Sequence, residues 1–186
     1  MGLVLFDLDN TLIAGDSDHL WGDFLVAEGL VDPDKHKALN EHYYQQYQQG
    51  QLDIDEYLSF ALGPMAGMTP ETLSALQDKF LKKHVEPILL DAAFDLLQAH
   101  RVNGDTLIII TATNTLVTQP IADRLGVEHL IGCEAELKDG RYTGKPEGVP
   151  SFGEGKVQRI KTWCAVHQIL FEDAVFYSDS HNDLPL

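Results

Sequence analysis

The sequence predicts an α/β protein: a parallel sheet core with a helical bundle inserted after the first strand. Three observations carry this expectation. The apolar run Val4-Leu5-Phe6 breaks abruptly into Asp7-Leu8-Asp9, the pattern of a buried parallel strand that ends at a polar edge. Residues 16 to about 86 show four consecutive helical patterns with no strand pattern among them. From Pro87 onward, strand and helix patterns alternate, as in a sheet built from strand–helix units.

The elements follow in order. After Leu12, Gly15-Asp16-Ser17-Asp18 leads into His19-Leu20-Trp21 and Phe24-Leu25, a helical pattern with Ser17 as its N-cap. Pro33-Asp34 starts a second helix that puts Leu39, His42, Tyr43, Gln46 and Tyr47 on one face and ends at Gly50. Asp53, with Glu56 three residues on, caps a third helix over Ile54–Leu62, and Gly63-Pro64 stops it. Thr69-Pro70-Glu71 opens the fourth with a cap, a first-turn proline and an acidic first turn, and Lys82-Lys83-His84 closes it with the charge a helix dipole favours.

In the second half, a helix through Phe94, Leu96 and Leu97 ends at Asn103-Gly104, and Thr106-Leu107-Ile108-Ile109-Ile110 is a buried strand. Thr111-Ala112-Thr113-Asn114 then leads into the helix of Val117, Ile121 and Leu125, which Gly126 terminates. Residues 129–131 form a short strand, and residues 135–144 a hairpin turning at Asp139-Gly140. Gly153-Glu154-Gly155-Lys156 opens a helix carrying Val157, Ile160, Trp163 and Cys164, and a strand over 174–177 runs into Ser178-Asp179-Ser180-His181-Asn182-Asp183. The expected division is an α/β core of residues 1–15 and 87–186 and an inserted helical bundle of 16–86. The sequence ends three residues after Asp183, so the core is expected to lack the further strand and helix that usually finish such a sheet.

Composition narrows the partners. The 186 residues are 44% hydrophobic, and 13 basic against 29 acidic residues leave a formal charge of -16. That field repels nucleic acid and anionic membranes, and it admits a phosphorylated substrate only where a cation reverses it locally. No apolar run approaches the roughly 18 residues of a membrane helix. Cys133 and Cys164 make no disulfide framework, and no cysteine or histidine pair has zinc spacing, which fits a reducing cytoplasm. No oligomeric state follows from the sequence.

Four polar clusters fall at strand ends or helix starts: Asp7/Asp9, Thr111, Lys156 and Asp179/Asp183. Alternate residues of an extended chain point the same way, so Asp7 and Asp9 can hold a hard cation between side-chain and backbone oxygens; a turn with a helix cap is the other reading of that pair. Taken together, the clusters resemble the motifs of the haloacid dehalogenase-like hydrolases, and within them the phosphoserine-phosphatase-like branch with a helical cap after the first motif. The resemblance covers the whole chain and implies a Rossmann-like parallel sheet. Motif one is Asp7-Leu8-Asp9-Asn10-Thr11, motif two Thr111, motif three Lys156 and motif four Asp179 to Asp183.

Residue by residue, the resemblance implies Asp7 as nucleophile and Asp9 as acid/base, with Thr111 and Lys156 on the phosphoryl group. It implies Mg2+ as cofactor, held by Asp7, Asp9, Asp179 and Asp183, with Asp183 also holding Lys156 and Asn182 beside the substrate. A small-molecule phosphomonoester is the partner. Such chemistry is mostly positioning and charge stabilisation, because the transferring phosphoryl group spreads negative charge over its oxygens. The amides that start the helix after Thr111 are expected to add donors to this anion site.

The cap is expected to choose the substrate. Between Asp16 and His100 there is no arginine, the residue with which phosphoserine-specific relatives clamp a carboxylate. Asp16 stands where those relatives face the substrate amine, and Asp18 adds a second carboxylate. The segment from Ala14 to Trp21 resembles the subgroup that includes histidinol phosphatases, which implies L-histidinol phosphate as substrate. Phosphoserine or another small phosphomonoester is the alternative, and helix capping is an equally open reading of Asp16 and Asp18. A phosphoacceptor signalling domain would need an aspartate ending the strand before Thr111, where none stands, and an inactive fragment is the third reading. Gly153-Glu154-Gly155-Lys156 is not a Walker loop, since Val157 stands where Ser or Thr is required.

Overall fold

The computed structural model describes residues 2–171 and 173–186, and every side chain among them except that of Asn182. Five strands form one sheet in the order β4-β3-β2-β1-β5, with β1 at Leu3–Phe6, β2 at Thr106–Asn114, β3 at His129–Lys138, β4 at Arg141–Glu147 and β5 at Val175–Tyr177. β1 runs parallel to both β2 and β5, and β2 runs parallel to β3. The carboxyl ends of the neighbouring strands β2, β1 and β5 therefore meet at one edge, and Thr111, Asp7 and Asp179 lie there.

The four residues of β1 are all buried because both faces of the sheet are covered. Val4 and Phe6 face the larger apolar cluster, while Leu3 and Leu5 join Ile108, Ile110 and Ile131 against Ile160 and Cys164 of the helix at Glu154–His167, α7. After Phe6 the chain turns at Asn10, whose positive φ of 56° is one that Asn tolerates better than most side chains. The carbonyl of Leu8 takes the amides of Thr11, Leu12 and Ile13, so the turn is satisfied internally.

Four helices intervene before β2: α1 at Ser17–Ala27, α2 at Pro33–Gln48, α3 at Ile54–Leu62 and α4 at Pro70–Phe80. Asp32, Asp53 and Thr69 cap the last three, and Pro stands in the first turn of α2 and α4. The α1 cap is Asp16 rather than the expected Ser17: Asp16 Oδ1 accepts from the amides of Asp18 and His19 at 3.0 and 2.9 Å. Ser17 is buried inside the helix because its own amide is drawn to Asp9 Oδ1. Lys82-Lys83-His84 lie in a π turn, Leu81–Val85, that continues α4.

The bundle shares its core with the sheet. Trp21, Phe24 and Phe80, with ring centroids 5.0–5.7 Å apart, belong to the same buried cluster as Phe6 and Ile109. One polar contact reinforces this join. In α6, Thr115–Leu125, Pro120 has no amide to give the carbonyl of Leu116, and Gln77 of α4 supplies the missing donor at 2.5 Å.

Two strands are longer than the sequence pattern suggested. β2 stays extended through Asn114, past the expected end at Ile110, with a register irregularity between the two. β3 runs on to Lys138 because its second half leaves the parallel sheet to pair antiparallel with β4. That hairpin turns at Asp139 and Gly140, both at positive φ (51° and 73°), as a two-residue turn of matched twist requires. α5, Asp91–Val102, completes the layer on the larger cluster.

Candidate active site

Asp7 sits at the first residue past β1, nearly buried at 7% exposure, its amide held by the carbonyl of Tyr177. Lys156, in the first turn of α7, reaches the same spot from the other side. Its ammonium is 3.2 Å from Asp7 Oδ1 and 2.5 Å from Asp183 Oδ1, and Ser178 Oγ donates to the remaining Asp183 oxygen at 2.6 Å. Burial alone would lower the Lys156 pKa, but the Asp7 and Asp183 charges outweigh it and hold the ammonium above its ordinary value. Burial pushes the Asp7 carboxyl up to about 6 despite Lys156, with Asp183 and Asp179 repelling it further.

Asp9 is gripped at both oxygens. Ser17 N–H donates to Oδ1 at 2.6 Å, and the Thr113 hydroxyl donates to Oδ2 at 2.9 Å. Burial, then the charge of Asp16, raises its pKa to about 7 against the hydrogen bonding from Ser17. Such a carboxyl can give a proton or take one near neutrality. Thr111, buried, accepts the Thr113 amide at 3.1 Å, which leaves its hydroxyl proton available to a ligand oxygen.

These groups line one cleft of about 420 Å³ between sheet edge and helical bundle. Six aspartates border it (Asp7, Asp9, Asp16, Asp18, Asp179 and Asp183), and Lys156 is the one lysine among its lining residues, which include no arginine. Tyr43, Tyr44, Tyr47 and Tyr57 form the opposite wall, with His19 and Asn40 hydrogen-bonded to each other at 2.9 Å. Tyr47 OH meets Ser180 Oγ at 3.0 Å, joining α2 to motif four across the opening. Burial, then Asp16 and Asp9, holds the Asp18 carboxyl well above the usual range.

The fold thus brings Asp7, Asp9, Thr111, Lys156, Asp179 and Asp183 into one cleft with Asp16 and Asp18; the side chain of Asn182 lies outside the described residues. Among the described residues no three acidic, histidine or cysteine side chains are clustered on a single point, and the expected metal ligands differ in state. Asp9 is tied to Ser17 and Thr113, and Asp183 spends its oxygens on Lys156 and Ser178. Asp7 and Asp179 each keep an oxygen that meets no donor among the described residues, the latter accepting only from Thr11 at 3.2 Å. Two hard carboxylates in a cleft with so large an acidic excess fit Mg2+, which takes few carboxylates and completes its shell with water. One expectation is corrected, that amides at the start of α6 serve the anion site: no α6 residue lines the cleft, the helix starts beyond the extended strand, and Asn114 Oδ1 takes the amide of Val117. Thr113 and the tyrosine wall are additions that the sequence reading missed. Period two from Thr111 pointed to the first, and the Tyr43/Tyr47 face of α2 to the second.

A family model described as haloacid dehalogenase-like hydrolase matches residues 4–186. The chain belongs to that family. This hydrolase is 41% identical over 188 residues to a histidinol-phosphatase of Neisseria meningitidis serogroup C (strain 8013), covering 99% of this chain and 85% of that protein. It is 28% identical over 187 residues to the phosphoserine phosphatase SerB1 of Mycobacterium tuberculosis (strain ATCC 25618 / H37Rv), covering 97% of this chain and 60% of the other. A crystal structure of a protein with unknown function from Bordetella pertussis Tohama I superposes with a TM-score of 0.90 at 42% identity, covering 98% of this chain and 84% of that one. A substrate-bound phosphoserine phosphatase superposes with a TM-score of 0.67 at 18% identity over 99% and 80% of the two chains, a likeness of fold alone. No helix among the described residues is long and apolar enough to cross a membrane.

Proposed function

We propose that this phosphatase hydrolyses a small amine-bearing phosphomonoester, with L-histidinol phosphate as the substrate, through an aspartyl-phosphate on Asp7. The observation that carries the reading is the buried Lys156 ammonium shared by Asp7 and Asp183, with Asp9 beside it in an acidic cleft. Asp7 attacks phosphorus while Lys156 offsets charge on the phosphoryl oxygens and the Thr111 hydroxyl donates to one of them. Asp9 protonates the leaving oxygen, then takes a proton from the water that frees Asp7. Mg2+, held by Asp7 and Asp179, would neutralise the carboxylate and phosphoryl charges that otherwise repel each other. The helices of residues 16–86 act as the substrate-selecting cap.

The lining charge supports a cationic head. A second carboxylate on the substrate would face Asp16 and Asp18 with no arginine among the lining residues to pair it, whereas an ammonium or imidazolium would meet both aspartates and tyrosine faces. The buried free thiols of Cys133 and Cys164 suit the cytoplasm as its compartment. Magnesium-dependent phosphate release is to be measured from L-histidinol phosphate and phosphoserine side by side, with Asp7→Asn as the blank. Preference for histidinol phosphate, lost in the variant, is expected. Preference for phosphoserine would sink the cationic-head reading, and activity surviving in Asp7→Asn would sink the mechanism.

A further inference from the structure

Thr111 and Thr113 stand two apart in the extended part of β2, so both hydroxyls serve the cleft side. The proposed reaction uses the first and leaves the second without a task, although Thr113 is only 7% exposed. Its hydroxyl donates to one oxygen of Asp9 while the Ser17 amide donates to the other. Two donors on two oxygens define the plane of a carboxyl group, and with one alone the group can turn about its Cβ–Cγ bond. We propose that Thr113 is the positioning residue of the acid/base carboxyl group, its hydroxyl and the Ser17 amide together holding Asp9 in the orientation from which it protonates the leaving oxygen. This inference rests on the phosphatase reading of Asp7 and Asp9.

A hydroxyl suits the task because Asp9 must change state twice. In the first step the bond from Asp7 to phosphorus forms, the ester P–O bond breaks, and the Asp9 proton goes to the leaving alkoxide. In the second, water attacks phosphorus, its proton goes to Asp9, and the bond to Asp7 breaks. The Thr113 hydroxyl donates to one lone pair of Asp9 Oδ2 and leaves the second for the proton that moves, so it can stay bonded while Asp9 gives up that proton and takes one back. The strand does not need that hydroxyl to keep its place. The Thr113 amide is bonded to Thr111 Oγ1, and β3 packs so close that a Cβ on Gly132 would come within 2.9 Å of the Thr113 carbonyl.

Thr113→Val and Thr113→Ser are to be compared with wild type by kcat/KM, which reports steps up to transfer onto Asp7, for L-histidinol phosphate and for 4-nitrophenyl phosphate. The alkoxide leaving group needs a proton and the nitrophenolate does not. Thr113→Val is expected to lose roughly 10- to 100-fold with the alkyl ester, a part of the ~10²–10⁴ that general acid catalysis supplies, and under about threefold with the aryl ester. Thr113→Ser, which keeps the hydroxyl, should stay within about threefold of wild type on both. Partial loss of folded protein cancels in the ratio of the two substrates. An equal loss on both esters, or no loss on either, would overturn the positioning role while leaving the phosphatase reading in place. Failure of the wild type to hydrolyse either ester would bring down both.

Discussion

Lys156 is the only positive side chain in direct contact with Asp7 and Asp183 among the described residues, and all three are nearly inaccessible to water. Replacing it with Met keeps much of the volume and removes the charge, stranding two carboxylates. Breaking a buried pair in this way costs about 3–5 kcal/mol. For a domain of this size that corresponds to a thermal midpoint lower by about 6–20 °C. The deficit should depend on pH with a definite sign. Asp7 already has its pKa pushed up to about 6 with the lysine present, and it climbs further without it. Near pH 5 Asp7 therefore takes up a proton and one of the two stranded charges disappears, so roughly half of the loss, about 2 kcal/mol, should remain. Thermal unfolding of wild type and Lys156→Met followed by circular dichroism, with chelator present at pH 5 and pH 8, reads both quantities. A deficit below about 1 kcal/mol, or one of equal size at the two pH values, would refute the assignment of Lys156 as the charge that compensates both aspartates.

Two further outcomes are expected. The folded-state pKa values of Asp7 and Asp9 are raised from 3.8 to about 6 and about 7, so their stabilising contribution is present in full below pH 4 and is lost as pH rises through those values. With Mg2+ held by Asp7 as proposed, the ion competes with protons there, so the rise in thermal midpoint on adding it should grow from pH 5 to pH 8 and largely vanish in Asp7→Asn. A shift independent of pH, or one retained in that variant, would count against Asp7 as a ligand. A Cβ at Gly155 would collide with the backbone carbonyl of Pro150, and Gly155 immediately precedes Lys156. Gly155→Ala should cost about 1–3 kcal/mol and, by displacing the start of α7, lower kcat/KM by roughly tenfold or more. Normal activity in that variant would mean that the lysine does not need its present backbone position.

What the sequence determined by itself is whatever short-range chemistry decides. Asp53, Thr69, Pro33 and Pro70 start helices, Gly126 ends one at a positive φ of 68°, and Asp139-Gly140 turns a hairpin, because each acts on backbone groups within a few residues. An apolar run ending in Asp7 marked the polar edge of the sheet for a similar reason: burial on both faces leaves no alternation, and a carboxylate is accommodated only at the strand end, where the sheet meets the cleft. The remaining features depended on partners far away in the chain. Asp16 became the α1 cap because Asp9, eight residues before Ser17, claimed the Ser17 amide. Thr113 meets Asp9 across 104 residues, and Lys156 meets Asp7 across 149. The extension of β2 that presents both threonines depends on pairing with β3, and the tyrosine face of α2 became a cleft wall when the bundle packed on the sheet. Those contacts decide which carboxylates remain available to a cation and which are already bonded, since a hydrogen bond between distant residues exists only once the sheet has brought its strand ends together.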